Sequence, residues 1–500
     1  MAGHLEQILL DLVVSNRKRD LCACLGDINC HSRVPQRHVV TLDLVKEAKK
    51  QVKKGLIHKN FYFQACDLFI RQSVEPSQKV LNTWMRGAKA QVAGKDIGFS
   101  KVIDWCQNEH SKKRRDELEK EARSLCRFLT TFSQATWEAT FETVTDALGY
   151  ESYLAFLMEK KGRQIRIALP KVKGFLKGGQ DIYQVLMEDW FLSLPEPVKK
   201  GQRSRFDAIY LLGMRYMDHL YPESWKGDKG LFNTMEYFDF CLSRPKRPTL
   251  HVGDASFAQP ICIPVKIPSE IHVVSGSLSG WIDLEGLFHE LGHAFFFLNT
   301  DPDLPVAQKD FFVDFALSET YAFLFQLICL SEAFLEDFIG LGQKEAKLLS
   351  LLQKGKLLTL ARRYGAKSII EYENFANPDP VSNQDRYARL MQKYTGFRYG
   401  KETYFFDLMP DLYSLDYFVA FVGACLINQY LEERFGSKWF RDHEAFSLLR
   451  SWARQGNSLD LFAFLDDNLS IEFDCECIFQ YFPHNNMFHN VDVKKMAQMV

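Results

Sequence analysis

Residues 287–298 form an apolar stretch that nevertheless contains two histidines and a glutamate, His289, Glu290 and His293. Burying imidazoles and a carboxylate without partners is costly, so whatever fold this chain adopts must supply those partners. Side chains four residues apart on a helix project from the same face, one turn apart. The stretch therefore predicts a buried helix that directs both imidazoles towards one point.

A tetrahedral zinc ion is the partner that this spacing suits. Two histidines four apart can both reach one zinc, and Glu290 then faces the open coordination position, where it can take a proton from bound water. The alternative is a helix whose two histidines are satisfied by hydrogen bonds in the core. A third histidine in the metzincin pattern is excluded, because Phe296 and Asn299 occupy the relevant places.

Zinc needs a third protein ligand, and the apolar segment 311–330 offers two carboxylates. Asp314 lies near the predicted start of a helix, where N-terminal capping explains it. Glu319 lies inside the apolar run, where a bare carboxylate would be expensive. We therefore predict one zinc per chain, held by His289, His293 and Glu319, with water in the fourth position. The alternative for Glu319 is an ion pair with an arginine.

Residues 281–294, Trp-Ile-Asp-Leu-Glu-Gly-Leu-Phe-His-Glu-Leu-Gly-His-Ala, resemble the active-site segment of the thimet oligopeptidase / oligoendopeptidase F family. In that family the third ligand is a glutamate about 25 residues after the second histidine, and residues 318–322 resemble the segment that carries it. The resemblance implies a large, mainly α, two-lobed metallopeptidase. Its zinc would lie deep in a channel that admits short, unstructured oligopeptides. The related thermostable carboxypeptidases share the ligand spacing, but their other segments are not found here.

The family also has a tyrosine-rich segment whose hydroxyls bind the tetrahedral intermediate, and residues 410–421 match it. This implies Tyr413 and Tyr417 as oxyanion donors, four apart on one helical face. Tyr417 is preferred because it lies one turn further into the predicted helix 412–435. The segment departs from the family pattern, since the usual upstream histidine is missing, with Asp411 nearby, and a later tyrosine position is Phe421. The alternative is that both tyrosines fill the core.

Hydrophobic periodicity predicts helices through most of residues 1–160 and again after residue 281. Short β-branched runs predict one small sheet just before the histidine motif, with strands at 249–252, 261–265 and 271–274. The glycine- and lysine-rich stretch 160–179 is interpreted as a linker or exposed hairpin with a short strand at 165–169. We expect two regions, an N-terminal helical region 1–180 that forms a channel wall or lid, and a catalytic region 181–500.

Strand 271–274 has two interpretations. It could pair with a peptide substrate as an added strand, or it could be a plain structural strand.

Composition excludes several classes of protein. Lys+Arg 62 against Asp+Glu 63 leaves a net charge of −1, which gives no reason to expect nucleic acid or an anionic membrane as a partner. No apolar run reaches the 18 or so residues that span a bilayer. The 12 cysteines are scattered, which favours free thiols and a cytoplasmic location.

Two classes of function remain. The first is a zinc metallopeptidase, and a variant of it would use the zinc on a non-peptide amide. The second is a non-catalytic protein that keeps the fold and binds peptides or a partner. The intact set of ligands and Glu290 favours the enzyme. The sequence is silent on cleavage preference and on oligomeric state.

Overall fold

The computed structural model describes residues 2–26, 39–194, 196–243, 246–253, 259–329 and 331–480, and they are mainly α-helical. This confirms the predicted fold class. The α-helices of the N-terminal half are Ala2–Leu25, Leu42–Lys53, Lys59–Gly87, Val102–Asn108, Lys112–Glu142, Tyr153–Gly178, Gln180–Ser193, Arg205–Gly213 and Gly227–Leu242. Those of the C-terminal half are Trp281–Asn299, Val306–Lys309, Ala316–Cys329, Glu332–Phe334, Gln343–Ala376, Pro380–Thr395, Tyr404–Asp407, Tyr413–Phe435, His443–Ala453, Leu461–Leu469 and Cys477–Gln480.

Two small sheets accompany the helices. The first is a hairpin of β1 (Lys89–Val92) and β2 (Lys95–Gly98), which the sequence analysis missed. Its two-residue turn is Ala93-Gly94, with φ of 51° and 77°. Positive φ at both central positions is what a tight hairpin turn requires, and Gly94 adopts it without strain.

The second sheet confirms the three predicted strands, β3 (Thr249–Val252), β4 (Ile261–Lys266) and β5 (Glu270–Ser275). Their order is β3-β5-β4, with β5 parallel to β3 and antiparallel to β4. The prediction that strand 271–274 could accept a peptide is wrong, because β5 is the central strand and both of its edges are already paired. β4 is the outer strand nearest the helix that carries the histidines.

The lysine-rich stretch 160–179 is neither a linker nor a hairpin. It lies in the helix Tyr153–Gly178, which has a kink at Lys161, where φ is −137° and ψ is 35°. Lys160 and Lys161 are buried, because carboxylates from distant segments meet them there. We call this group the lysine network: Lys160, Lys161, Asp67, Asp411 and Asp416.

The largest hydrophobic cluster of the described residues includes side chains from Leu5 to Phe479 and contains many of the phenylalanines, and two smaller clusters lie beside the β1–β2 hairpin and on β4. Helices of the N-terminal 180 residues contribute to it together with those that follow. The division into regions 1–180 and 181–500 stays a prediction.

Segment 410–435 is, by length and composition, apolar enough to cross a membrane. However, 78% of its apolar window is buried inside the protein, as expected for a core helix.

The cysteines follow the prediction in part. Those at 24, 66, 106, 126, 241, 262, 329, 425, 475 and 477 are not disulfide-bonded, and most of them are buried, whereas Cys22 is disulfide-bonded. The cytoplasmic location stays a prediction.

Candidate metal centre

Three helices build the centre, and we name them for their contributions. The histidine helix is Trp281–Asn299, the glutamate helix is Ala316–Cys329, and the tyrosine helix is Tyr413–Phe435. Small residues let them pack closely. A Cβ on Gly292 would lie 2.5 Å from the carbonyl oxygen of Tyr321, so only glycine allows the histidine and glutamate helices to approach this closely.

The structure brings His289, His293 and Glu319 together. The Nε2 atom of His289 lies 3.3 Å from Oε2 of Glu319, and the Nε2 atom of His293 lies 3.4 Å from the same oxygen. The ligand atoms of all three residues lie within 4.8 Å of one another. Glu319 is 2% exposed, so the cluster is closed on the glutamate side.

This geometry fits a metal ion. Two ligands about 2.1 Å from a tetrahedral zinc lie about 3.4 Å apart, and the separations to Glu319 match that value. Oε2 of Glu319 is buried without a hydrogen-bond partner among the described residues. The donor set of two imidazoles and one carboxylate is that of catalytic zinc sites that leave one position for water.

The arginine alternative for Glu319 is wrong within the described part of the chain. The ion-pair partners of its carboxylate are the two histidines, and no arginine or lysine is among them. Burial opposes ionisation of Glu319, yet His293 and His289 hold its pKa far below the usual value. Burial likewise opposes charging of His289, but Glu319 raises the pKa of His289 to about 9. The cluster therefore favours an ionised Glu319 beside a positive charge. Either the histidines carry that charge or a bound metal ion supplies it in their place.

A chain of polar contacts behind His289 orients its ring, and we call it the histidine network: Gln326, Glu285 and Lys356. The ring Nδ1 atom of His289 lies 3.1 Å from Oε1 of Gln326. The amide nitrogen of Gln326 donates to Glu285, whose other oxygen accepts from Lys356. All three side chains of the network are buried.

The direction of these bonds settles the tautomer of His289. A carboxylate only accepts, so the amide nitrogen of Gln326 must face Glu285 and its oxygen must face His289. A neutral His289 ring then carries its hydrogen on Nδ1, which leaves the Nε2 lone pair free towards Glu319 and His293. This is the orientation that a zinc ligand requires.

Glu290 lies beside the cluster and next to the sheet. Its Oε2 atom accepts a hydrogen bond from the backbone N–H of Cys262 in β4, with N and O 2.7 Å apart. Burial raises the pKa of Glu290, and a raised pKa makes a carboxylate a stronger proton acceptor. The contact fixes one carboxylate oxygen, so the other remains for a proton.

The two tyrosines have different surroundings. The hydroxyl of Tyr413 donates to Oε1 of Glu319 over 2.6 Å. The ring of Tyr417 stacks on Tyr364, with centroids 4.8 Å apart. Within the described residues the hydroxyl of Tyr417 has no hydrogen-bond partner. Burial is the main cause that raises the pKa of Tyr417, and the nearby carboxylates of Glu319 and Glu290 raise it further. The hydroxyl of Tyr417 can therefore donate to a substrate, whereas that of Tyr413 already donates to Glu319.

A cleft of about 1190 Å³ opens onto the centre. Its walls include His289, Glu290, Tyr413 and Tyr417, and also Cys262 of the outer strand β4. The N-terminal helices Ala2–Leu25 and Lys59–Gly87 also line the cleft, with contributions from the helix Lys112–Glu142. The cluster thus faces a space large enough for several residues of an extended peptide.

Comparison with known proteins agrees with this description at the level of the fold. A scan against protein-family models finds no match, and neither does a search of curated proteins. Among solved structures, one match is the "Crystal structure of a putative oligoendopeptidase F from Bacillus anthracis str. Ames". It is 12% identical, covers 92% of this chain and 83% of that chain, and has a TM-score of 0.57.

The fold is therefore similar to that of an oligoendopeptidase. At this identity the likeness concerns the fold, and the roles of individual residues depend on the geometry described above.

Sequence patterns alone do not reveal the histidine network, although two of its members stand out in the sequence. Glu285 is a carboxylate one turn before His289, and Gln326 lies two turns after Glu319, both inside apolar helices. The argument that selected Glu319, a buried polar group that needs a partner, applies equally to these two residues.

Proposed function

We propose that this protein is a zinc-dependent metallopeptidase that hydrolyses short, unstructured oligopeptides. The observation that carries the proposal is the convergence of His289, His293 and Glu319 on one point, with Glu290 beside it on the wall of the cleft. The similarity of the fold to an oligoendopeptidase supports a peptide as the substrate. Cleavage inside peptides, as in metalloendopeptidases, is part of the proposal.

Each residue then has a definite task. His289, His293 and Glu319 hold one zinc ion, which when bound polarises the scissile carbonyl and lowers the pKa of water. Glu290 accepts the proton of the attacking water at the carboxylate oxygen that Cys262 does not occupy, and returns it to the leaving amine. Tyr417, or in its place Tyr413, donates a hydrogen bond to the developing oxyanion.

The substrate is proposed to lie along β4. This strand is an outer strand of its sheet and contributes residues 261, 262 and 264 to the cleft. The Cys262 N–H of this strand is taken by Glu290 and Pro264 has no N–H, so a bound extended peptide would donate its own N–H groups to the outward carbonyl oxygens of β4. Because the cleft is bounded by helices on its other side, it suits unfolded peptides rather than folded proteins. The cytoplasmic location and the absence of nucleic-acid and membrane partners stay predictions.

The test combines metal content with cleavage. The full chain should contain one zinc per molecule and should cleave a quenched peptide of about ten residues, and a chelator should abolish the cleavage reversibly. Glu290→Gln should keep the zinc and lose a factor of about 10²–10⁴ in kcat, since glutamine cannot accept the proton. Glu444→Gln, an exposed glutamate elsewhere, is the matched control and should behave as wild type.

Two results would contradict the proposal in different ways. Zinc binding at one per chain without cleavage of any peptide would favour the non-catalytic alternative, a protein that only binds peptides or a partner. Unchanged zinc affinity in Glu319→Ala would remove Glu319 from the ligand set.

A further inference from the structure

A second cavity, of about 960 Å³, lies further along two of the helices that build the metal centre. The centre uses the first turns of the glutamate and tyrosine helices. The second cavity uses the end of the glutamate helix, at residues 327–328, and the middle and end of the tyrosine helix, within residues 421–433. It shares no lining residue with the cleft, so it is a separate space.

The floor of the second cavity is apolar. It is lined by the buried side chains of Phe421, Cys425, Leu357, Trp439 and Phe440. Such an apolar floor favours contact with the apolar part of a ligand, because the contact removes both apolar surfaces from water.

The rim of the cavity is acidic. Four glutamates contribute to it, namely Glu332, Glu336, Glu432 and Glu433. Within the described part of the chain, none of the four makes an ion pair with a lysine or arginine closer than 4.0 Å.

Among the described residues that line the cavity, Lys354 is the cationic one. Burial lowers the pKa of this amine, against the opposing effect of Glu332 and Glu432. Four carboxylates against one amine give the lining of the cavity an excess of negative charge, so it favours a positively charged group.

Ser350 adds a polar group inside the cavity. It is 2% exposed and lines the space, and its hydroxyl has no hydrogen-bond partner among the described residues. A serine within a helix usually donates to a carbonyl of the preceding turn, and Ser350 does not. A buried hydroxyl without a partner is unfavourable, so it points to a ligand that supplies one.

From these observations we propose that the second cavity binds one small amphipathic organic amine in its protonated form. The ammonium group lies among the rim glutamates and within reach of the Ser350 hydroxyl, and the apolar body covers the aromatic floor. This site is independent of the proposed peptidase chemistry, because none of its residues belongs to the metal centre.

Isothermal titration with three molecules of one shape tests the charge requirement. The probes are 4-phenylbutylamine, 4-phenylbutanol and 4-phenylbutanoate, added to the full chain. We expect the amine to bind at one per chain, the alcohol at least tenfold more weakly, and the carboxylate not measurably. Equal affinity for amine and carboxylate, or no binding of the amine at millimolar concentration, would overturn the proposal.

Variants test the location. Glu332→Gln with Glu432→Gln should weaken the amine about tenfold and leave the alcohol unchanged, because only the charge differs. Ser350→Ala should weaken the amine a few-fold. Binding of the amine beside Trp439 should change the tryptophan fluorescence of the protein, and Trp439→Phe should reduce this change. Glu444→Gln is again the control. Amine binding that the glutamate double variant does not weaken would place the amine elsewhere and refute the site.

Discussion

Two networks that join buried lysines to carboxylates lie near the candidate metal centre, and they end in different places. The histidine network ends on the ring of His289, a side chain proposed to bind metal. The lysine network ends on the backbone, since Asp416 also accepts from the N–H of Phe315, just before the glutamate helix. One network therefore orients a side chain that performs chemistry, whereas the other holds helices in place.

This difference predicts different phenotypes. Damage to the lysine network should reduce stability and leave the intrinsic metal affinity of the folded protein intact. Damage to the histidine network should reduce metal affinity with a small effect on stability. The two tyrosines should differ from both networks and from each other: loss of the Tyr417 hydroxyl should affect turnover, and loss of the Tyr413 hydroxyl, which bonds Glu319, should affect metal affinity.

The largest expected effect is that of Lys161→Met. Lys161 donates to both oxygens of Asp416 over 2.8 and 3.0 Å, and both residues are fully buried. Removing one partner leaves a buried charge without compensation, which costs about 3–5 kcal/mol of unfolding free energy. Urea denaturation of the metal-free protein measures the loss.

The double variant Lys161→Met with Asp416→Asn is the control for this prediction. It removes both charges while keeping the volume of residue 416 and an oxygen that can accept from Gln164 or Phe315, so it should recover much of the stability lost in the single variant. If the double variant is no more stable than the single one, the loss in Lys161→Met comes from packing or hydrogen bonding rather than from an unpaired buried charge.

The next effect is that of Tyr417→Phe on turnover. Removing a hydroxyl that faces the cleft should lower kcat by a factor on the order of 10²–10³ with little change in KM, and zinc affinity should not change. Tyr413→Phe should instead weaken zinc binding, because the Tyr413 hydroxyl bonds Glu319.

Both tyrosine variants are compared at saturating and limiting peptide concentration. A large kcat loss confined to Tyr413→Phe would exchange the two roles. Wild-type kinetics in both would leave these tyrosines as packing residues only.

The comparison also shows what sequence can predict about this molecule. His289, Glu290 and His293 lie within five residues on one helix, so local geometry alone places them together. Glu319 is predictable because a carboxylate within an apolar run needs a partner wherever the fold brings it. The three strands before residue 281 are predictable because their β-branched runs are local signals.

The failures are non-local. Lys160 and Lys161 were assigned to an exposed stretch, since a charge-rich segment with glycines is usually solvated. Their burial depends on Asp411 and Asp416, about 250 residues further along the chain. The central position of β5 is also decided by its neighbours rather than by its own residues.

A smaller effect is expected for Gln326→Met. The variant removes the acceptor that keeps the hydrogen of His289 on Nδ1, and it leaves Glu285 with Lys356 alone. Loss of such an outer contact typically lowers metal affinity about 10- to 100-fold. Competition with a zinc-binding chelator measures the change, and apo-protein stability should shift little. Unchanged zinc affinity would show that the histidine network is structural only.

The smallest effect is that of Gln353→Met, which is the matched control for Gln326→Met. Gln353 is also a fully buried glutamine, on the helix Gln343–Ala376, but neither atom of its amide has a partner among the described residues. Replacing an unsatisfied buried amide by an apolar side chain of similar size should stabilise the protein by about 1 kcal/mol. Zinc affinity should stay at the wild-type value. A loss of stability of that size would show that the Gln353 amide is hydrogen-bonded, for instance to buried water, and would remove the contrast between the two glutamines.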